Sequence, residues 1–337
     1  MNAARIGVIG AGAWGTALAQ ALASDGSEVV LWAREAELVG EINAERRNSL
    51  YLPGAALAGS IRATGDFADL AALPVLLVVV PAQFLASVIA GLPAMKDGGE
   101  RDLVLCAKGI EAGTGRLMAD VAADAAPGAR LAVLSGPTFA HEVAAGLPTA
   151  VTLACSGGEP QWDRLAPLIA RPALRPYYSD DVIGAEIGGA VKNVLAIACG
   201  VVEGLKLGQN ARAALIARGY AEMLRFGLAR GARGETLSGL CGLGDLVLTC
   251  SSTSSRNFSL GLALGQGLTA AEALAGKNSV AEGAATAPVL ADLARREGIQ
   301  MPIVEAVRLL LDGAAPAGAV VSRLLSRPLR AEQEPAL

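Results

Sequence analysis

One stretch constrains the fold of this chain more than any other: Arg5-Ile6-Gly7-Val8-Ile9-Gly10-Ala11-Gly12-Ala13-Trp14-Gly15. A short apolar strand, Arg5 to Ile9, runs into glycines spaced G-x-G-x-x-G and then into a helix of small residues, Trp14 to Ser24. That spacing, between strand and helix, predicts a dinucleotide-binding turn. Gly10 permits the tight turn, Gly12 lets the backbone approach a pyrophosphate, and Gly15 lets helix and strand pack closely. The helix N-terminus then offers N–H groups to the anion. A secretory leader uses similar ingredients, with Arg5 as its basic end and Ala21-Leu22-Ala23 resembling a cleavage site. Against it, each glycine costs such a helix about 0.8–1 kcal/mol relative to alanine. Cleavage after Ala23 also orphans the next strand, Glu28 to Trp32.

That second strand ends at Arg34-Glu35. An arginine there suits a 2′-phosphate and a carboxylate suits a ribose hydroxyl, so NADP, NAD or both are expected. The alternative for Arg34 is a solvated residue opening a helix.

Beyond this unit the strand pattern continues at Ile61–Thr64, Val75–Val80, Leu103–Ala107, Leu131–Ser135, Ala150–Ala154 and Leu174–Tyr177, alternating with helical stretches such as Phe84–Leu92, Arg116–Ala125 and Gln161–Ala170. Alternation predicts an α/β fold, a Rossmann-type doubly wound parallel sheet, with ligands beyond the carboxyl ends of the strands. From about residue 181 only helical periodicity remains, with long helices expected over Val182–Lys206 and Asn210–Gly231 and a capping box at Thr269-x-x-Glu272. Residues 1–180 then form a dinucleotide-binding domain, 181–330 an all-helical domain, and 331–337 a frayed polar tail.

Composition narrows the function. A net charge of −4 without a basic tract gives no support for nucleic-acid binding. No run of eighteen apolar residues lacks a charge or breaker, so membrane insertion is not expected. The cysteines, Cys106, Cys155, Cys199, Cys241 and Cys250, form no C-x-x-C pair and read as reduced thiols of a cytoplasmic protein. The single histidine, His141, has no partner for a zinc helix and no G-x-S-x-G accompanies it, so neither a metal site nor a serine triad is expected.

A nicotinamide enzyme acting on an alcohol needs a proton acceptor, and lysine is the available choice. Lys192 has Gly188, Gly189, Leu195 and Ala196 three and four residues away, so its helix face is small and apolar. Desolvation there disfavours the ammonium and poises the amine near neutral pH. The plainer alternative is a lysine snorkelling along a core stripe. Lys108 and Gly136-Pro137-Thr138 each follow a strand where the nicotinamide should lie. Asp245 sits in a glycine-rich segment, a ligand or a turn former, and Ser254-Ser255-Arg256-Asn257 concentrates the donor set that grips a phosphate. The plainer alternative for Arg256 is a surface-loop arginine among common loop serines.

In order along the chain stand GAGAWGTALA, AKGIE around Lys108, SGPTFA at 135–140, VKNV around Lys192, GLGDLVLTC at 242–250, SRN at 255–257 and VAEG at 280–283. From residue 5 to about 315 this closely resembles the prokaryotic-type NAD(P)-dependent glycerol-3-phosphate dehydrogenases. The resemblance implies interconversion of sn-glycerol 3-phosphate and dihydroxyacetone phosphate, feeding glycerophospholipid synthesis, in a possible homodimer. It makes Lys192 the proton acceptor and places Lys108, Gly136, Thr138, Asp245, Ser255, Arg256 and Asn257 around the substrate. It puts Gly10, Gly12, Ala13, Trp14, Gly15, Arg34, Lys108, Ala140, Arg256, Val280 and Glu282 on the cofactor. Ala13 departs from the serine many relatives carry, which loses a side-chain hydrogen bond and keeps the backbone N–H. No role is implied for His141. Two rivals stand beside it: a reductase of the 3-hydroxyacid or ketopantoate type, which has no need of the phosphate loop, and a non-catalytic dinucleotide sensor, which needs neither Lys192 nor Asp245.

Overall fold

The computed structural model describes residues 6–275 and 281–328. Eight strands, β1 (Ile6–Ile9), β2 (Val29–Trp32), β3 (Ile61–Thr64), β4 (Val75–Val78), β5 (Asp102–Leu105), β6 (Arg130–Ser135), β7 (Thr149–Cys155) and β8 (Leu174–Ser179), form one sheet. Their order is β3-β2-β1-β4-β5-β6-β7-β8. The strands are continuous apolar runs because helices cover both faces. Leu18, Leu22, Leu38, Ile42, Leu165 and Ile169 pack on one face against Val8, Leu31, Leu77 and Leu153. Leu85, Ile89, Val121 and Ala122 pack on the other against Ile9, Leu76, Val78 and Leu105. The strand order reverses between β1 and β4, which opens the crevice where doubly wound sheets bind ligands.

The expectation of an all-parallel sheet needs one correction. β6 and β7 are antiparallel, pairing Ala132 with Cys155 and Ser135 with Thr152, while β7 and β8 are parallel to each other. The connection from β6 holds only the short helix Ala140–Ala144, which packs on the Ala13–Leu22 helix instead of crossing the sheet. Without a crossover the chain turns back antiparallel.

This reversal positions the site. β8 runs away from the crevice, so the following helix, Val182–Gly204, starts at the opposite edge of the sheet and climbs back. Asp181 caps it, accepting from the Gly184 N–H at 2.8 Å. Ten residues of helix rise about 15 Å, comparable with the height of a strand, about 3.3 Å per residue. Lys192 therefore arrives at the carboxyl edge. A Cβ built on Gly189, one turn earlier, would lie 3.0 Å from Ser135 Oγ at the end of β6.

Past β8 the described residues are helical. The Val182–Gly204 helix is the axis of this half, with Gln209–Ala229, Asp245–Cys250, Arg256–Gly265, Glu282–Arg296 and Pro302–Leu311 packed on it. It is long and apolar enough to cross a membrane, but 89% of that window is buried inside the fold. The Arg256–Gly265 helix meets it backbone to backbone. A Cβ on Gly200 would stand 2.0 Å from Phe258 O, and one on Gly261 1.9 Å from Ile197 O. The capping box at Thr269 and Glu272 is formed as the spacing predicts. The tail 331–337 lies outside the described residues.

Candidate active site

Three chain segments converge on one carboxylate. Asp245 opens the Asp245–Cys250 helix after a π-helical turn, Leu240–Gly244, in which the Gly244 N–H reaches back five residues to Gly239 O at 3.0 Å. That turn sits on the long helix at Gly188, where a Cβ would be 2.5 Å from Cys241 O. Gly188 and Gly189 thus make room for two partners: the Gly-rich turn on one side and the stem of Lys108 on the other, whose Cγ would be 3.2 Å from a Cβ at Gly189.

The result is an Asp245 carboxylate bridging two ammonium groups. Lys192 Nζ donates to Asp245 Oδ1 at 2.9 Å, and Lys108 Nζ donates to Asp245 Oδ2 at 2.7 Å. Lys192 also donates to Thr249 Oγ1 at 2.8 Å, and Lys108 to Gly136 O at 3.1 Å. Thr249, one turn after Asp245, donates in turn to Asp245 Oδ1 at 3.1 Å. Burial alone pushes the Asp245 carboxyl up, but the two ammoniums outweigh it and hold the group below the usual carboxylate range. Burial drives Lys192 down to about 8; Asp245 pulls it back up and Lys108 pushes it further down. Two cations share one anion in a buried site.

Lys108, Lys192 and Thr249 line a cavity of about 1100 Å³ that runs over the sheet edge to Arg34. Gly10, Gly12, Ala13, Trp14, Gly15, Thr138, Ala140, Ser255, Arg256, Asn257 and Glu282 line it as well. Its middle is the glycine turn. Gly10 has φ +108° with its Cα side against Val79 O, and a Cβ on Gly15 would fall 1.8 Å from Gly10 O, so both positions admit only glycine. Gly12 has open space around it and the Ala13–Leu22 helix has no side-chain cap, so its first N–H groups are open to an anion. An open glycine and an uncapped helix N-terminus are what a bound pyrophosphate uses, and the residues fit a dinucleotide.

In the 255–257 segment the Ser255 and Asn257 side chains have protein partners. Ser255 caps the Arg256–Gly265 helix, its hydroxyl accepting from the Phe258 N–H at 3.2 Å. The Asn257 side chain donates to Asn193 Oδ1 at 3.0 Å and accepts from the Gly283 N–H at 3.0 Å. Asn193 in turn donates to Lys108 O at 3.1 Å. Both side chains thus knit the helical half to the lysine loop while lining the cavity, and the positive helix N-terminus with Arg256 faces the same space. Glu282 is half-buried and accepts from the Ala82 N–H at 3.3 Å. Its carboxyl is raised by burial against the lowering pull of that N–H and of Lys108, Arg256 and Lys192. Val280 lies outside the described residues. His141 stacks on Phe139 at the cavity rim.

Two sequence profiles match the chain: the N-terminus of NAD-dependent glycerol-3-phosphate dehydrogenase over residues 5–160 and its C-terminus over residues 181–322. The glycerol-3-phosphate dehydrogenase [NAD(P)+] of Novosphingobium aromaticivorans is 74% identical over 327 residues, covering 97% of this chain and 98% of its own. The chain belongs to the NAD-dependent glycerol-3-phosphate dehydrogenase family. The Erythrobacter litoralis enzyme of the same name is 71% identical, with 98% of each chain covered. The crystal structure of glycerol-3-phosphate dehydrogenase from Coxiella burnetii superposes with a TM-score of 0.89 at 41% identity, covering 96% of this chain and 98% of that one. This chain is accordingly an NAD(P)-dependent oxidoreductase acting on glycerol 3-phosphate.

Among the cavity-lining residues that sequence reasoning did not single out are Thr249, which accepts from Lys192, and Asn193, which donates to Lys108 O. The signal for Thr249 was its place four residues after Asp245, on the same helix face. Asn193 carried no signal beyond adjacency to Lys192.

Proposed function

We propose that Lys192 is the proton donor and acceptor for the interconversion of dihydroxyacetone phosphate and sn-glycerol 3-phosphate. The carrying observation is the buried Lys192–Asp245–Lys108 bridge at the end of the dinucleotide cavity. The nicotinamide coenzyme, when bound, supplies or accepts the hydride. In reduction the Lys192 ammonium gives its proton to the substrate carbonyl oxygen as the carbinol forms, and the amine regains a proton from solvent. In oxidation the neutral amine takes the hydroxyl proton. A lysine held at about 8 serves both directions near neutral pH. Asp245 keeps the amine aimed and stays ionised throughout. Lys108 supplies a second positive charge beside the oxygen. Gly136 and Thr138 border the substrate, and Arg256 with the helix N-terminus receives its phosphate, flanked by Ser255 and Asn257. Gly10 to Gly15, Arg34, Ala140, Val280 and Glu282 serve the coenzyme.

We read residues 1–180 and 181–330 as coenzyme and substrate domains. The enzyme works in the cytoplasm, in line with its five buried free thiols, as a homodimer whose mass light scattering would measure. It supplies glycerol 3-phosphate for glycerophospholipids. The deciding experiment follows nicotinamide absorbance with NADPH or NADH and dihydroxyacetone phosphate, with a 2-keto acid as the competing substrate. Turnover of the keto acid at an equal kcat/KM would replace this reading by the keto-acid reductase rival, and no turnover of either by the sensor rival.

A further inference from the structure

The far end of the cavity, away from Lys192, carries a small charge device that no part of the reaction uses. Arg34 and Glu35 follow β2, where dinucleotide folds meet the adenosine ribose. Arg34 Nη2 donates to Glu35 Oε1 at 3.0 Å, and the Tyr51 hydroxyl donates to the same oxygen at 3.3 Å. Glu35 is therefore gripped from two sides. The grip is built in, because the loop carrying Tyr51 is tied to the glycine turn. The Tyr51 N–H donates to Asn48 Oδ1 at 2.9 Å, and buried Asn48 donates to Ala11 O at 2.9 Å and Thr16 Oγ1 at 2.8 Å. Arg34 is different: its side chain is 76% exposed against 30% for Glu35. An exposed pair of this kind is weakly held and exchangeable. Arg34, Glu35 and Tyr51 all line the cavity.

We propose that Glu35 is a resident competitor for Arg34, and that this competition sets how strongly the enzyme discriminates between 2′-phosphorylated and unphosphorylated coenzyme. A 2′-phosphate is a dianion that Arg34 binds best in a two-pronged fashion, and the Nη2 edge of that fork is the one already engaged by Glu35 Oε1. An unphosphorylated ribose makes no such demand and finds in Glu35 an acceptor for its hydroxyls. Arg34 favours one coenzyme, Glu35 taxes it, and the pair gives an enzyme that accepts both. This rests on the dinucleotide reading of the cavity and adds to it a residue that opposes the phosphate.

The test uses half-molecules of the coenzyme and no substrate. Calorimetric titration of the full chain with adenosine 2′,5′-bisphosphate and with 5′-AMP gives a ratio of dissociation constants. Glu35→Gln is expected to tighten the bisphosphate roughly two- to fivefold and to leave 5′-AMP unchanged or weaker. In an Arg34→Ala background the same change is expected to gain less than about twofold, because the competitor has nothing left to compete for. An unchanged or falling ratio in Glu35→Gln overturns the proposal. A full gain persisting without Arg34 also overturns it, since Glu35 then acts by plain repulsion. Binding of neither nucleotide to the unmodified chain would sink the dinucleotide reading itself.

Discussion

At the scale of single residues the proposed chemistry rests on how much proton affinity a buried amine keeps. Lys192 sits at about 8 because burial lowers it while Asp245 restores part of the loss. Oxidation of glycerol 3-phosphate needs the neutral amine, so its kcat/KM should rise with pH through about 8, and reduction should fall across the same window. Steady-state rates in both directions from pH 6 to 10 check the crossing. Lys192→Met should lower kcat by about 10²–10⁴ and leave NADPH affinity, read by nicotinamide fluorescence, nearly intact. A variant keeping a tenth of the rate would remove Lys192 from the mechanism. Thr249→Val deletes an acceptor for the ammonium, which favours the neutral amine, so the oxidation midpoint should move down by about 0.5–1 pH unit. Arg256→Lys retains charge and loses the paired geometry, and kcat/KM for dihydroxyacetone phosphate should fall roughly tenfold to a hundredfold. Dihydroxyacetone, used poorly by both proteins, should show no comparable loss. Equal damage to both compounds would place the phosphate elsewhere.

At the scale of elements, close packing without side chains decides what can change. Gly200 and Gly219 are both helical glycines against the core, and alanine suits a helix better by about 0.8–1 kcal/mol. A Cβ on Gly200 meets the Phe258 carbonyl at 2.0 Å, which cannot move without its helix. A Cβ on Gly219 meets the Leu195 methyl at 2.9 Å, the far end of a flexible side chain. Gly200→Ala should cost about 1–3 kcal/mol or more and Gly219→Ala far less, as read from urea midpoints. Similar midpoints would mean the two helices slide freely. The elements themselves were largely legible. Each strand is an apolar run flanked by turn residues, and the 182–206 periodicity located the helix that carries Lys192 to within two residues of its end. The direction of β7 was not legible, because a strand buried on both faces reads alike both ways. The helix Ala36–Glu45 was not delimited because only Leu38 and Ile42 of its ten residues are buried. At the site, the glycine turn and the lysines announced themselves by their neighbours. The Asn193–Asn257–Gly283 tie joins residues far apart in the chain, and no local pattern encodes it.

At the scale of the whole molecule, two buried glutamates make stability depend on pH. Glu222 is pushed up to about 7 by burial, against the N–H groups of Ile303 and Val304 that it caps, and Glu186 to about 8 by burial against the Ala119 N–H. Both folded values lie above the unfolded one, so the folded state binds more protons and its advantage is full below about 4.5. That advantage is lost as pH rises through 7 and 8. Glu186→Gln with Glu222→Gln should therefore flatten the fall in melting temperature between pH 5 and 9; an unaltered slope would assign it to other groups. The reversed strands β7 and β8 have a consequence of another kind. By returning the chain to the far edge of the sheet, they make the helix from Val182 a measuring rod, graduated in residues, whose tenth mark is the amine. One residue inserted between Asp181 and Gly188 turns every later mark by about 100° and swings Lys192 off Asp245. The same insertion in the 170–173 bend before β8 lies behind the rod's zero and leaves the reading unchanged.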